Sequence, residues 1–135
     1  MFIVVDASVW VARLLPGDVF YQSVRTWMLT HVNQRTEFLS PALLLVEIGA
    51  AIRRRTGESF LALQAIERLQ QLPELRSVEM DGKLIQEAAS LAANLGLRGA
   101  DSVYVAVAAR LNLPLFTLDM DQKERASESI TVLEL

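Results

Sequence analysis

The chain of 135 residues is long enough for one domain with a hydrophobic core and too short for two ordinary domains, so we expect a single domain over residues 1–135. It has no cysteine and one histidine, which excludes disulfides, thiolate catalysis, cysteine-based zinc sites and a Ser/His/Asp triad of the usual kind. The net charge of -3 gives no overall attraction to nucleic acid, so a polyanion would have to bind a local patch.

Apolar residues make up 52% of the chain, which is high for a small soluble domain. This excess predicts apolar surface that either a partner or a second copy of the chain covers, and a homodimer is one expectation. No charge-free apolar run approaches the roughly 20 residues that span a bilayer, so no membrane helix is expected. The first residues lack a basic segment and include Asp6, which argues against a signal peptide and favours a cytoplasmic location.

The N-terminal half alternates short apolar runs with helical patterns, which is typical of an α/β fold. In chain order the pattern predicts a strand at 2–5, helices at 8–15 and 18–32, a strand at 37–40, and helices at 42–55 and 59–72. Ser40 and Pro41 predict the start of the 42–55 helix, with serine as its N-cap and proline at its first position.

The C-terminal half continues the same alternation. In chain order it predicts a strand at 75–80, helices at 82–95 and 101–112, a strand at 115–118, a short helical turn near 122–127 and a strand at 130–135. Asp81 is expected to cap the 82–95 helix, which ends near Gly96. Five strands with helices between them predict a three-layer α/β sandwich around a central sheet.

Two predicted strands end on an acid. Asp6 follows the apolar strand 2–5, and Asp119 follows the strand 115–118. Open α/β sheets bind ligands at the carboxyl ends of their strands, which favours a functional role for both acids. Asp6 could instead only cap the next helix, and taken alone its position leaves both readings open.

Glu47 is the only charged residue between Pro41 and Ile52, in a helix that is otherwise apolar all round and is therefore predicted to be buried. Burial of an unpaired carboxylate costs on the order of several kcal/mol, so Glu47 needs a proton, an arginine or a metal. An internal salt bridge to an arginine is the alternative to a functional site. We favour the functional site because isolated buried acids cluster there.

Asp101 opens a helix directly after Arg98-Gly99-Ala100. A role as N-cap would explain it fully, although a helix start also suits a phosphate group. Considered together, the four acids have one common explanation, a divalent cation such as Mg²⁺, which prefers oxygen ligands. These acids are Asp6, Glu47, Asp101 and Asp119.

The segments VVDAS, SPALLLVEIGAAIRR, RGADSVYVAVA and LFTLDMD, in this order, resemble the PIN-domain ribonucleases and in particular the VapC-type toxins of toxin-antitoxin pairs. The resemblance implies a five-stranded parallel sheet in the order 3-2-1-4-5, with the strands of Asp6 and Asp119 side by side. It also implies that Asp6, Glu47, Asp101 and Asp119 are the catalytic and metal-binding residues.

By the same resemblance, the reaction is Mg²⁺- or Mn²⁺-dependent hydrolysis of RNA with one or two ions, and the partner is a small antitoxin protein. Ser8 and Arg98 are expected to contact the substrate, and Thr117 is expected to line the site. Helix capping is the commoner role for a hydroxyl such as that of Ser8. Two other functions stay open: a non-catalytic RNA-binding or interaction module, and a Mg²⁺-dependent phosphatase.

Several further residues are interpreted as structural. Asp121 is expected to cap the 122–127 turn first, with assistance to the metal site as the alternative. The arginines at 53–55 end a helix, where the helix dipole favours basic residues, so this role is preferred over RNA contact. His31, Trp10 and Trp27 are interpreted as packing residues.

Overall fold

The structure is a computed structural model that describes residues 1–135. Its strands are β1 (Phe2–Val5), β2 (Glu37–Pro41), β3 (Leu75–Val78), β4 (Leu115–Phe116) and β5 (Val132–Leu133). Its helices are α1 (Ala7–Leu14), α2 (Tyr21–Asn33), α3 (Leu44–Thr56), α4 (Ser59–Gln70), α5 (Gly82–Leu95), α6 (Gly99–Leu111) and α7 (Met120–Ala126). None of these helices has the length and apolar character needed to cross a membrane.

The five strands form one parallel sheet in the order β3-β2-β1-β4-β5, which confirms the predicted order. The direction of strand order reverses between β1 and β4, which are neighbours. Val5 pairs with Phe116 at the last step of their ladder, so Asp6 and Thr117 emerge at the same edge of the sheet. Ligand crevices of open α/β sheets form at such a reversal point.

The core is one cluster of 30 buried apolar residues on both sides of the sheet. The run of β1 is continuously apolar because a central parallel strand is covered by helices on both faces. Trp10 is fully buried, and its indole N–H donates to Ser40 Oγ at 3.2 Å. Ser40 Oγ in turn donates to the Val5 carbonyl at 2.6 Å, so a buried polar chain joins β1, β2 and α1.

The predicted start of the helix at Ser40-Pro41 is wrong. Both residues belong to β2, and α3 begins at Leu44. The serine hydroxyl is buried between Trp10 and the β1 backbone, so it is not available to cap a helix. The contact between this hydroxyl and the Trp10 indole forms only in the folded chain. The residues next to Ser40 therefore gave no sign that its hydroxyl is already occupied.

The prediction that α3 is buried all round is also wrong. The helix buries a stripe of Leu44, Ile48 and Ile52, whereas Val46 is 68% exposed. The i, i+4, i+8 spacing of the buried residues is that of an ordinary surface helix. Apolar residues on the other faces of α3 are therefore open to solvent or to a binding partner.

Strand β4 is shorter than the predicted 115–118 because side chains take over its backbone hydrogen bonds. The Leu118 N–H donates to Ser8 Oγ at 3.1 Å, and the Asp119 N–H donates to Thr117 Oγ1 at 3.0 Å. The chain thus leaves the sheet after Phe116 and turns into α7. Strand β5 is likewise limited to Val132–Leu133 of the predicted 130–135.

Candidate active site

A cleft of about 270 Å³ opens at the carboxyl ends of β1 and β4. The end of β1, helix α3, the first turn of α6 and the start of α7 each contribute one acid to it. Thr117, which was expected to line the site, is buried beneath the cleft and is not part of its wall. The cleft brings together the six residues that were predicted to bind metal or substrate: Asp6, Ser8, Glu47, Arg98, Asp101 and Asp119.

Asp6 is almost completely buried and is held by hydroxyl groups. Its Oδ2 accepts hydrogen bonds from Ser8 Oγ at 2.7 Å, Ser8 N at 3.3 Å and Thr117 Oγ1 at 2.9 Å. Burial raises the pKa of Asp6, and the hydrogen bonds from Ser8 and Thr117 oppose that rise. Asp6 also caps α1, so the capping role and the position in the cleft hold together.

Ser8 links the two central strands instead of capping a helix. Its hydroxyl donates to Asp6 and accepts from the Leu118 N–H, across the junction of β1 and β4. This contact fixes the carboxylate of Asp6 relative to the segment that carries Asp119. Ser8 is therefore a positioning residue in the structure, at the rim of the same cleft.

Thr117 and Gln122 form the buried support beneath the cleft. Thr117 Oγ1 lies 2.9 Å from both Asp6 Oδ2 and Gln122 Oε1, so its single proton serves one of these oxygens at a time. Gln122 is fully buried and donates to the Asp101 carbonyl at 3.4 Å. Gln122 was not predicted to belong to the site, although a glutamine three residues after a capping aspartate resembles a capping box.

Glu47 is the least satisfied acid in the cleft. Its Oε1 is buried and has no hydrogen-bond partner, and none of the ion pairs of the protein includes it. The alternative of an internal salt bridge is therefore wrong. Burial raises the pKa of Glu47, and repulsion by Asp6 and Asp101 raises it further.

The Tyr104 hydroxyl is a second buried atom without a hydrogen-bond partner. Burial raises the pKa of Tyr104, and the negative charge of Glu47 adds to that rise. The two groups are close enough to affect each other's ionisation, yet neither Oε1 of Glu47 nor the hydroxyl completes a hydrogen bond of acceptable geometry. A buried carboxylate oxygen with no partner is a free ligand position.

Asp101 does not cap α6, because the N-cap of that helix is Arg98 and Asp101 lies in its first turn. Burial raises the pKa of Asp101 to about 6, with a further contribution from the negative charge of Asp6. Arg98 opposes the rise, since its Nε lies 3.2 Å from Asp101 Oδ2. The same guanidinium also forms an ion pair with Asp119.

Asp119, and not Asp121, caps α7. Asp119 Oδ1 accepts from the backbone N–H groups of Asp121 at 3.0 Å and Gln122 at 3.1 Å. Asp121 points away into an exposed ion pair with Arg125, at 2.9 Å from Nε to Oδ1. The predicted cap was therefore assigned to the wrong aspartate of the pair.

The donor set fits a hard divalent cation. The cleft holds four carboxyl groups against one guanidinium, and one buried carboxylate oxygen has no partner. No group of three or more acidic side chains is arranged as a finished metal site, and Arg98 pairs with two of the four acids. A bound cation would therefore compete with the Arg98 guanidinium for Asp101 and Asp119.

Known proteins resemble this chain in sequence family and in fold. The model of the PIN domain family matches residues 3–128. No curated protein sequence matches the chain. Three similar solved structures share between 12% and 20% sequence identity with the chain. At this level of identity they establish the fold alone.

One similar structure is VapC20 from Mycobacterium tuberculosis, a toxin that cleaves the sarcin-ricin loop. It shares 18% sequence identity with this chain, the alignment covers 90% of this chain and 93% of VapC20, and the TM-score is 0.78. VapBC2 from Rickettsia felis, bound to a promoter DNA fragment, has 12% identity, 98% of each chain covered and a TM-score of 0.73. FitAcB from Neisseria gonorrhoeae has 20% identity, coverage of 98% and 96%, and a TM-score of 0.69. The fold, the family match and the predicted resemblance agree, and the chain belongs to the PIN domain family.

Proposed function

We propose that this protein is a Mg²⁺- or Mn²⁺-dependent endoribonuclease of the VapC type, with residues 1–135 as its single PIN-like domain. The observation that carries the proposal is the convergence of four acids, from four separate elements, on one cleft at the sheet reversal point. Membership in the PIN family and the shared fold with VapC20, a toxin that cleaves the sarcin-ricin loop, support the same function.

The proposed ligands of the ions are Asp6, Glu47, Asp101 and Asp119. One or two bound ions would make a water molecule acidic enough to attack the phosphodiester and would stabilise charge on the leaving oxygen. Asp6 contributes a fixed anchor because Ser8 and Thr117 immobilise its carboxylate. Glu47 contributes the buried oxygen that has no protein partner, and a cation there would remove the cost of its burial.

Asp101 and Asp119 would exchange the guanidinium of Arg98 for a metal ion when an ion binds in the cleft. Both carboxylates are paired with Arg98, whose side chain is 67% exposed. An exposed ion pair of this kind contributes only about 0–1 kcal/mol, so a divalent cation can displace it at low cost. The released guanidinium would then bind a phosphate of the RNA, which is the substrate contact that we assign to Arg98.

The proposal includes a small antitoxin partner and a homodimer. Large apolar side chains are exposed on several helices, and this surface is available to another chain: Val46 (68%), Phe60 (69%) and Leu63 (66%) are examples. The similar structure from Rickettsia felis is a VapBC2 complex. The proposal also retains the predicted cytoplasmic location, because an RNA substrate is consistent with it.

The test is cleavage of a structured RNA by purified protein with Mg²⁺, Mn²⁺ or EDTA, beside a plain phosphate ester. We expect RNA cleavage that EDTA abolishes and that both Asp6→Asn and Asp101→Asn reduce by at least about a hundredfold. Cleavage unchanged by EDTA and by both substitutions would overturn the proposal. Hydrolysis of the ester alone would favour the phosphatase, and RNA binding without turnover would favour the non-catalytic module.

A further inference from the structure

A second cleft, of about 340 Å³, adjoins the acidic cleft. The two clefts share Ala7, Ser8 and Glu47 on their walls, so one continues into the other. We call the second cleft the α1–α3 groove, because helices α1 and α3 form it. Apart from the shared residues, its lining consists of Val11, Val46, Ala50, Ala51 and Arg54.

Arg54 differs from its two arginine neighbours in having no polar partner. Arg53 donates to the Gly57 carbonyl at the end of α3, and Arg55 forms an ion pair with Asp18 at 2.7 Å. Both neighbours therefore make contacts that stabilise the fold. Arg54 is exposed, lines the α1–α3 groove, and appears in none of the hydrogen bonds or ion pairs of the side chains.

The geometry of α3 places Arg54 on the same face as Glu47. The two residues are seven positions apart, which is about two helical turns and about 10.5 Å along the helix axis. Ala50 and Ala51 lie between them, and their small side chains leave the groove open. A chain that lies in the groove would meet Glu47 at one end and the guanidinium of Arg54 at the other.

We propose that the α1–α3 groove binds the RNA nucleotides that flank the cleaved bond, and that Arg54 binds a phosphate next to the scissile one. This inference rests on the proposed ribonuclease function and identifies its strand-binding subsite. An apolar floor that ends at an unpaired cation suits a single strand, since the sugar and base cover apolar surface while the phosphate pairs with arginine. Continuity with the acidic cleft favours the substrate strand over a separate ligand.

The binding test uses Asp6→Asn protein, in which cleavage of the RNA should be at least about a hundredfold slower. In this background it compares Arg54→Ala, Arg54→Lys and the matched control Arg53→Ala. We expect Arg54→Ala to weaken binding of a single-stranded RNA about tenfold, because one charge-assisted contact is lost. The slope of log affinity against log salt should fall by about 0.7 for one phosphate contact. Arg54→Lys should restore most of the slope, and Arg53→Ala should change neither quantity by more than about twofold.

A cleavage test in the otherwise native protein locates the contact along the strand. Arg54→Ala should lower kcat/KM for a long RNA about tenfold and for a dinucleotide less than about twofold, because the dinucleotide does not extend into the groove. An equal loss on both substrates, or an equal loss for Arg53→Ala, would overturn the inference. So would unchanged RNA binding by Arg54→Ala, even where binding of a protein partner falls.

The two proposals fail in different ways. Absence of metal-dependent cleavage by the unsubstituted protein would overturn the ribonuclease function. RNA binding that depends on Arg54 in that case would still support the groove as an RNA site.

Discussion

The substitution Asp101→Asn tests the electrostatics of the acidic cleft through protein stability. Burial first, and the charge of Asp6 second, raise the pKa of Asp101 from 3.8 to about 6. A raised carboxyl pKa means that the folded protein prefers the protonated acid. The stabilising contribution is fully present below the unfolded-state pKa near 3.8 and is lost as the pH rises through about 6.

The size of the expected stability difference follows from the pKa shift of Asp101. A change from 3.8 to about 6 corresponds to at most about 3 kcal/mol. Because the carboxylate is partly open to water beside the exposed Arg98, screening reduces the expected value to about 1.5 kcal/mol. Without metal, Asp101→Asn should therefore be more stable than the unsubstituted protein by about this amount at neutral pH, and the two should converge towards about pH 4.

The assay is urea unfolding in EDTA, followed by the fluorescence of Trp10 and Trp27, at about pH 4.5 and about pH 7.5. Asp81→Asn is the control of opposite sign, because a hydrogen bond from the Leu84 N–H lowers the pKa of Asp81. The control should gain no stability at about pH 7.5. Addition of Mg²⁺ should stabilise the unsubstituted protein and leave Asp101→Asn nearly unchanged. Lower stability of Asp101→Asn than of the unsubstituted protein in EDTA at about pH 7.5 would refute the reasoning.

Substitutions at four further positions test which residues support the acidic cleft and which belong to the metal site. Thr117→Val should lower the free energy of unfolding by about 1–3 kcal/mol in urea titrations, because buried groups lose their partner, while Thr117→Ser should cost less. Tyr104→Phe should leave the free energy of unfolding unchanged or raise it by up to about 1 kcal/mol, because the tyrosine hydroxyl has no partner. A decrease in the free energy of unfolding would instead show that this hydroxyl donates a hydrogen bond to Glu47. In calorimetric Mn²⁺ titrations, Asp119→Asn should weaken binding at least about tenfold and Asp121→Asn less than about twofold, and equal losses would contradict the assignment of Asp121 to Arg125.

The local patterns of the sequence predicted the strands and most helices well. The continuous apolar run of β1 and the Asp81 cap of α5 were predicted as observed, because both depend on neighbours along the chain. The order of the strands came from the family resemblance, since spacing alone does not choose among parallel arrangements. That order then explains why Asp6 and the end of β4 meet at one edge of the sheet.

The errors at three polar side chains share a physical cause, a hydrogen-bond or ion-pair partner that the local sequence pattern does not specify. Ser40 looked like an N-cap but bonds the indole of Trp10, which lies 30 positions away. Asp101 looked like an N-cap but pairs with Arg98 in the cleft. Gln122 gave only a weak signal because its partners, Thr117 and the Asp101 carbonyl, come together only in the folded chain.

Glu47 was singled out correctly as an unusual acid, although one part of the reasoning was wrong. Its helix is not buried on every face, so the apolar composition of α3 overstated its burial. The carboxylate oxygen is nevertheless buried and without a partner, since α3 directs it towards Tyr104 and the other acids. Its role as a metal ligand stays a prediction.

The most direct test is the chemistry of the RNA ends that form when Mg²⁺ or Mn²⁺ is returned to EDTA-treated protein. Attack by water, with no protein nucleophile and no role for the ribose 2′-hydroxyl, predicts products without a 2′,3′-cyclic phosphate. We expect such products only with added metal, and at least about a hundredfold less of them with Asp6→Asn. Cyclic phosphate ends, or equal cleavage in EDTA, would contradict a ribonuclease that acts through the four acids.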